Sequence, residues 1–302
     1  MHYAAARRAS RWAVVAAWVL ACIGSAAAQT QPADAAAALQ ARHAELASQL
    51  EHNVFGRTIV LQSTEASNDL RGEIYAVVEH PFAEVDEALQ GAGHWCDILI
   101  LHLNVKGCVA SERPQQSSLA VSIGRKFDQP LADAYRVDFN YRVASRTPGY
   151  LEVLLNADSG PFSTRDYRIA LEAVPLDRER SFIHLSYSYR YGFAAKLAMQ
   201  TYLGTLGRDK LGFTVERRRS NGEPVYVGGV RGVVERNTMR YYLAIDAFLD
   251  SLALPPPQQL ERRLHDWFAA TERYARQLHE LDQSEYLAMK RKEVQRQRSA
   301  PG

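Results

Sequence analysis

Tyr135–Arg136–Val137–Asp138–Phe139–Asn140–Tyr141–Arg142–Val143 is the stretch that decides the fold. Apolar and polar residues alternate strictly along it. A period of two means a strand with one buried and one wet face. Four more segments keep the same phase: Leu119–Val121–Ile123, Leu151–Val153–Leu155, Tyr167–Ile169–Leu171 and Ile183–Leu185–Tyr187–Tyr189–Tyr191. They are separated by short turn-rich pieces, Asp128–Gln129–Pro130, Thr147–Pro148–Gly149, Asp158–Ser159–Gly160–Pro161 and Pro175–Leu176–Asp177. Consecutive strands with short connections make an antiparallel meander. Its apolar face requires a cover, and a curved sheet closed over a helix leaves room for an apolar ligand.

Upstream of the meander, Ile74, Ala76 and Val78 alternate as a strand that stops at Pro81. Phe82, Val85 and Leu89 then have helical spacing, ended by Gly91 and Gly93, and Trp95, Ile98, Leu99, His102 and Leu103 form a second helical pattern before a strand through Cys108. Residues 56–71 lack strong periodicity, with a short strand expected at Thr58–Leu61. Downstream, a helix is expected from Gly192 with Leu197, Met199, Tyr202, Leu203 and Leu206, followed by a hairpin turning at Asn221–Gly222. Asn237 reads as the cap of a broad-faced buried helix running to Leu252.

Two flanking helices complete the pattern. An Ala-rich segment from Ala33 to about Asn53 carries one narrow stripe, Leu39, His43, Leu46 and Leu50. After the stiff break Pro255–Pro256–Pro257, the residues Leu260, Leu264, Trp267, Thr271, Tyr274, Leu278 and Leu281 repeat at heptad spacing, as in one long amphipathic helix. These two stripes are expected to pack together, with a homotypic coiled coil as the alternative. The charged tail from Lys290 is expected to fray.

At 302 residues, with 47% hydrophobic and 23% charged residues, the composition is that of a globular protein. Arg7, Arg8 and Arg11 precede the apolar stretch Trp12–Ile23, and Ala26 and Ala28 form an A-x-A site before Gln29. This is the pattern of a cleaved secretory signal peptide, with a retained membrane anchor as the competing reading. The residues after Arg7–Arg8 do not suit a twin-arginine signal, which favours the general secretory route and a periplasmic location. Removing the signal takes three of the 36 basic residues and none of the 34 acidic ones, leaving 33 against 34. That balance gives no electrostatic footprint for nucleic acid. Two cysteines remain, Cys96 and Cys108, and an oxidising compartment predicts a disulfide between them, worth ~3 kcal/mol on the chain-entropy argument.

Gly72–Glu73–Ile74–Tyr75–Ala76–Val77–Val78 running into Pro81–Phe82–Ala83–Glu84–Val85, the Gly160–Pro161–Phe162 entry to a strand, and the late helix from Asn237 together resemble the START-like superfamily. Lipid-transfer START domains, bacterial polyketide cyclases and plant pathogenesis-related pocket proteins belong to that group. The resemblance spans Gly72 to about Leu254 and is one of pattern. It implies an α+β helix-grip fold, a curved antiparallel β-sheet of about six to eight strands on a long C-terminal helix, with extra helices at both ends. The expected organisation is a signal peptide (1–28), an N-terminal helix (29–56), a START-like domain (57–254), and a proline linker with a C-terminal amphipathic helix (255–302). The superfamily has no universal catalytic motif, so no functional residue is carried over by position.

Inward phase nominates the pocket candidates Phe139, Tyr141, Tyr167, Tyr187 and Tyr189, joined by Trp95. Tyrosines offer apolar bodies with polar tips, and the competing reading is a solid core. Arg125 and Arg165 fall in the inward phase too, where they would meet a ligand's anionic group or snorkel to water from strand ends. His94, Cys96, His102 and Cys108 fit no standard zinc spacing, so no metal and no cofactor is expected. His184 and Asp166 read as a surface pair on the outward phase. No G-x-S-x-G, H-E-x-x-H or P-loop motif occurs. The expected function is carriage of a hydrophobic small molecule or lipid, with transient membrane contact. A cyclase- or hydrolase-like enzyme polarising a carbonyl with pocket tyrosines and arginines, Arg125 or Arg165 among them, and an envelope interaction protein recruiting a partner through the heptad helices, are the alternatives.

Overall fold

The computed structural model describes residues 31–113, 116–192 and 210–299. The helix expected from Gly192 and the amino-terminal signal lie outside these residues. Eight strands form one antiparallel sheet: β1 (Ile59–Ala66), β2 (Asp69–Val78), β3 (Val105–Arg113), β4 (Gln116–Ile123), β5 (Tyr135–Thr147), β6 (Tyr150–Ser159), β7 (Thr164–Pro175) and β8 (Ser181–Tyr191). Their spatial order is β1-β2-β8-β7-β6-β5-β4-β3. The meander from β3 to β8 is therefore sequential, and the first hairpin docks on its last strand. Helices α2 (Phe82–Leu89) and α3 (Ala92–Leu99) follow β2, and α4 (Gly229–Ser251) follows a small hairpin of β9 (Val215–Arg218) and β10 (Pro224–Tyr226). This is the helix-grip α+β architecture.

The alternation of the strands sorts their side chains as the periodicity requires. Val137, Phe139 and Tyr141 are buried while Arg136, Asp138, Asn140 and Arg142 are exposed. A bulge between Val143 and Ser145 then shifts the phase, and Arg146 reaches Asp86 of α2 through a bidentate pair. The 56–71 stretch holds the whole of β1, not the short strand expected at Thr58–Leu61. Its outer half is exposed at the sheet edge, so no apolar periodicity is needed there.

α4 crosses β2 closely. A β-carbon on Gly72 would stand 2.2 Å from Thr238 Oγ1, so only glycine permits this approach. The helix begins at Gly229, two turns before the expected cap. Asn237 lies in its middle, where an asparagine makes no cap.

The N-terminal helix α1 (Pro32–Glu51) does not pair with the C-terminal stripe. It covers the opposite face of the sheet, where Leu39, Leu46 and Leu50 pack with Val60, Tyr75, Tyr150, Val174 and Phe182, and His43 meets the Phe182 ring edge-on at 4.8 Å. Those apolar outward positions, spread over β1, β2, β6, β7 and β8, are the cause.

The heptad-type stripe also folds differently from the expected single helix. It is divided into α5 (Pro256–Glu272) and the single turn α6 (Ala275–Leu278), followed by α7 (Gln283–Ser299). Leu264, Trp267 and Leu278 join the main sheet core, so the stripe faces the chain's own body and not a parallel partner. The tail from Lys290 is not frayed. Lys290, Glu293 and Lys106 of β3 are fully buried, with Glu293 accepting from Lys106 at 3.0 Å and from Lys290 at 2.8 Å. Lys290 also donates to the carbonyls of His102 and Val105 at 2.7 and 2.8 Å.

Cys96 and Cys108 form the expected disulfide, tying α3 to β3 across a Cα–Cα distance of 5.2 Å. Both sulfurs being in that bond, the His94/Cys96/His102/Cys108 set has no thiolate to offer a metal. His94 bonds the Ala88 carbonyl through Nδ1 at 2.7 Å.

Candidate functional site

The concave face between the sheet and α4 is lined by a connected row of aromatic rings. Tyr167 is its hub: it stacks on Tyr189 at 5.2 Å, tilts against Tyr187 at 6.4 Å and meets Phe139 edge-on at 6.4 Å. The row continues across to α4, where Tyr241 meets Tyr187 edge-on at 5.3 Å, and His102 stacks on Tyr241 at 4.9 Å. The alternation of β5, β7 and β8 points these side chains inward. The loop after α3 delivers His102, which lies beyond that helix's end and not on the longer helix expected.

Four of the eight pocket candidates, Phe139, Tyr167, Tyr187 and Tyr189, are thus brought together. Trp95 and Tyr141 are buried as well, but both hold the end of α2. The Trp95 indole donates to the Leu89 carbonyl at 2.8 Å and the Tyr141 hydroxyl to the Gln90 carbonyl at 2.6 Å, capping groups the helix leaves open.

Arg125 and Arg165 are not in the interior, and the inward placement expected for them is corrected here. β4 ends at Ile123, so alternation has stopped before Arg125, whose exposed guanidinium lies over the Phe127 ring at 5.7 Å. At Arg165 a bulge carrying Asp166 at φ 55° breaks the phase of β7 and sets Arg165 opposite the outward Arg190. The enzyme reading that relied on these two arginines loses both.

Burial raises the pKa of Tyr167, Tyr187, Tyr189 and Tyr241, so all four hydroxyls stay protonated near neutrality. The Tyr167 hydroxyl is bonded to Thr164 Oγ1 at 2.7 Å. Among the described residues, none bonds the hydroxyls of Tyr189 or Tyr241. His102 has its pKa lowered well below the usual histidine value, first by burial and then by the charges of Arg240, Lys290 and Lys126. It is therefore neutral.

α4 supplies the other wall. Asn237 and Tyr241, one turn apart, keep partial exposure within a stretch that is otherwise buried from Val234 to Ile245. Tyr241 meets Tyr187 of β8 edge-on, which puts this face of α4 against the tyrosine row. Sequence reasoning missed both: Asn237 read as a cap and Tyr241 was unassigned, though their i, i+4 spacing places them on one helix face.

The row Tyr187–Tyr189–Tyr191 ends at an open polar cleft of about 720 Å³ lined by Ser63, Thr64, Glu65, Ser67, Glu216, Val227, Gly228 and Arg231. Tyr191 donates to Glu65 at 3.0 Å, and Arg231 to Ser63 at 2.8 Å. On the other flank of α4, Glu280 accepts from Lys126, from Lys210 at 3.0 Å and from Arg240 at 3.1 Å. Burial depresses Lys126 to about 8 against the pull of that carboxylate. On the convex face, His184 bridges Glu172 at 2.8 Å and Glu73 at 3.0 Å; its partner is thus not Asp166.

No family model matches the sequence, and no curated protein does. Solved structures similar to it include human StAR-related lipid transfer protein 5 (12% identity, covering 56% of this chain and 89% of that one, TM-score 0.30). Norcoclaurine synthase from Thalictrum flavum is similar at 13% identity, over 47% of this chain and 91% of that one, TM-score 0.32. The ZhuI aromatase/cyclase from a Streptomyces is similar at 11% identity, over 69% of this chain and 95% of that one, TM-score 0.29. At these identities the likeness is one of fold alone.

Proposed function

We propose that this protein binds a hydrophobic small molecule, such as a lipid, between α4 and the tyrosine-lined concave face, and that it does so in the periplasm after removal of residues 1–28. The observation that carries the reading is the row Tyr167–Tyr187–Tyr189–Tyr241. Its aromatic bodies form an apolar wall, two of its hydroxyls have no described partner, and the facing residues of α4 keep partial exposure. A mostly apolar wall with a few polar groups is the usual make-up of a small-molecule site. The Cys96–Cys108 disulfide supports the oxidising compartment.

Native mass spectrometry of protein prepared gently from periplasm, with organic extraction of what it carries, tests both parts. A mature mass beginning at Gln29 with a stoichiometric apolar adduct is expected. Retention in the cytoplasm with an intact leader would overturn the location. Failure of the stripped protein to take up any fatty acid, phospholipid or aromatic hydrocarbon would overturn the binding reading.

A further inference from the structure

His102 is 2% exposed, and among the described residues its Nε2 has no hydrogen-bond partner. The Asn104 backbone N–H donates to Nδ1 at 3.1 Å, which fixes the neutral ring's proton on Nε2. A buried donor is therefore left open, a costly arrangement unless something accepts from it. The ring stacks on Tyr241, and Tyr241 contacts Tyr187, so His102 stands at the α4 end of the aromatic row. The Asn237 side chain acts as a weak hydrogen-bonding neighbour of both His102 and Tyr187, but it stands outside normal hydrogen-bond length and angle at Nε2.

We infer that His102 Nε2–H is the polar anchor of the pocket and takes an uncharged carbonyl oxygen of an otherwise apolar ligand. The inference rests on the pocket reading above and adds the ligand's chemistry to it. Three features select a carbonyl. The group to be satisfied is a donor, which requires an acceptor on the ligand. The Tyr241 ring lies against the imidazole, which suits a flat, weakly hydrated group beside the acceptor atom. Arg240, Lys290 and Lys126 impose a positive potential on the imidazole, which favours the electron-rich end of a C=O dipole pointing at it. A hydrocarbon would leave Nε2–H buried and unanswered. The ring acts by binding, with Tyr187, Tyr241 and Asn237 shaping the space around the acceptor.

The test uses 2-acetylnaphthalene and 2-ethylnaphthalene, uncharged probes of nearly one size that differ in the carbonyl. They are titrated into the full mature protein carrying ¹⁵N-histidine. Both are expected to shift the ring signals of Tyr167 and Tyr187, and only the ketone to move the His102 Nε2–H resonance downfield. In His102→Phe the ketone should bind about five- to tenfold more weakly, with the hydrocarbon unchanged, while His102→Gln, which keeps an N–H donor, should retain the preference. Equal affinities with a stationary His102 signal would overturn the anchor and leave the pocket standing. Absence of any shift at the tyrosines with either probe would overturn the pocket reading and the anchor with it. The wild-type resonance decides the matter even if a variant fails to fold.

Discussion

Replacing Glu293 by glutamine removes the carboxylate that bonds two buried ammonium groups. Lys106 and Lys290 are both fully buried and both bond to Glu293; the carbonyls of Leu103, His102 and Val105 add dipoles, and Asp128 adds a weaker attraction on Lys106. Breaking a buried ion pair by removing one partner costs about 3–5 kcal/mol, a large share of the ~5–15 kcal/mol that holds a domain folded. The pH dependence identifies the cause. Burial lowers the pKa of both lysines, and that of Lys290 falls to about 8 from 10.5. Between those two values the unfolded chain binds more protons than the folded one, so stability rises with pH across the window; below about 8 the full penalty for burying the charge is present. Without Glu293 the folded lysines release their protons at still lower pH, which widens the window downward. Urea unfolding at pH 7 and pH 9.5 should show a deficit of about 3–5 kcal/mol for Glu293→Gln at the lower pH, reduced by at least half at the higher. A deficit under about 1 kcal/mol at pH 7, or one equal at both pH values, would refute the buried-charge account.

Three further outcomes follow from the packing. Serine at both Cys96 and Cys108 should lower the unfolding free energy by about 2–4 kcal/mol, and reductant should do the same to the wild type but nothing to the variant; a reductant-insensitive wild type would deny the bond. Gly72→Ala should destabilise by about 1–3 kcal/mol, because α4 must move from β2 to clear Thr238, with unchanged thermal unfolding as the contrary result. For His184, burial lowers the pKa but the hydrogen bonds it donates to Glu172 and Glu73, with their charges, outweigh it and raise the value above 6.5. Its stabilising contribution is complete below pH 6.5 and is lost as pH rises through the folded pKa, so an NMR titration placing that pKa at or below 6.5 would contradict the bridge.

The sheet was legible because alternation is a local signal that each strand carries by itself. Its second face was not. Tyr75, Tyr150, Val174 and Phe182 sit on four strands, and their common cover by α1 emerges only once register sets them side by side. Arg165 escaped the phase rule because a bulge leaves no mark in an alternating pattern. Arg125 escaped it because the strand had already ended. Lys290 and Glu293 lie in a segment whose charge reads as solvent-facing, and only β3, far away in sequence, supplies the partner that draws them inside. The tyrosine row of the candidate site was visible in β7 and β8. His102, its polar end, read as one residue of a helical stripe and of a His/Cys set with no standard zinc spacing, so nothing marked it as part of the site.

The docking of α7 on β3 has a consequence for how the chain is made. Lys106 finds Glu293 across 187 positions and Met289 across 183, so β3 waits for its partner until α7 has been synthesised. Until then, an elongating chain presents β3 and the loop after α3 with apolar and charged groups both uncovered, a state prone to association. Folding is thus deferred until α7 has emerged, and a product stopped before Gln283 would be handed to proteases and not persist as a smaller working unit.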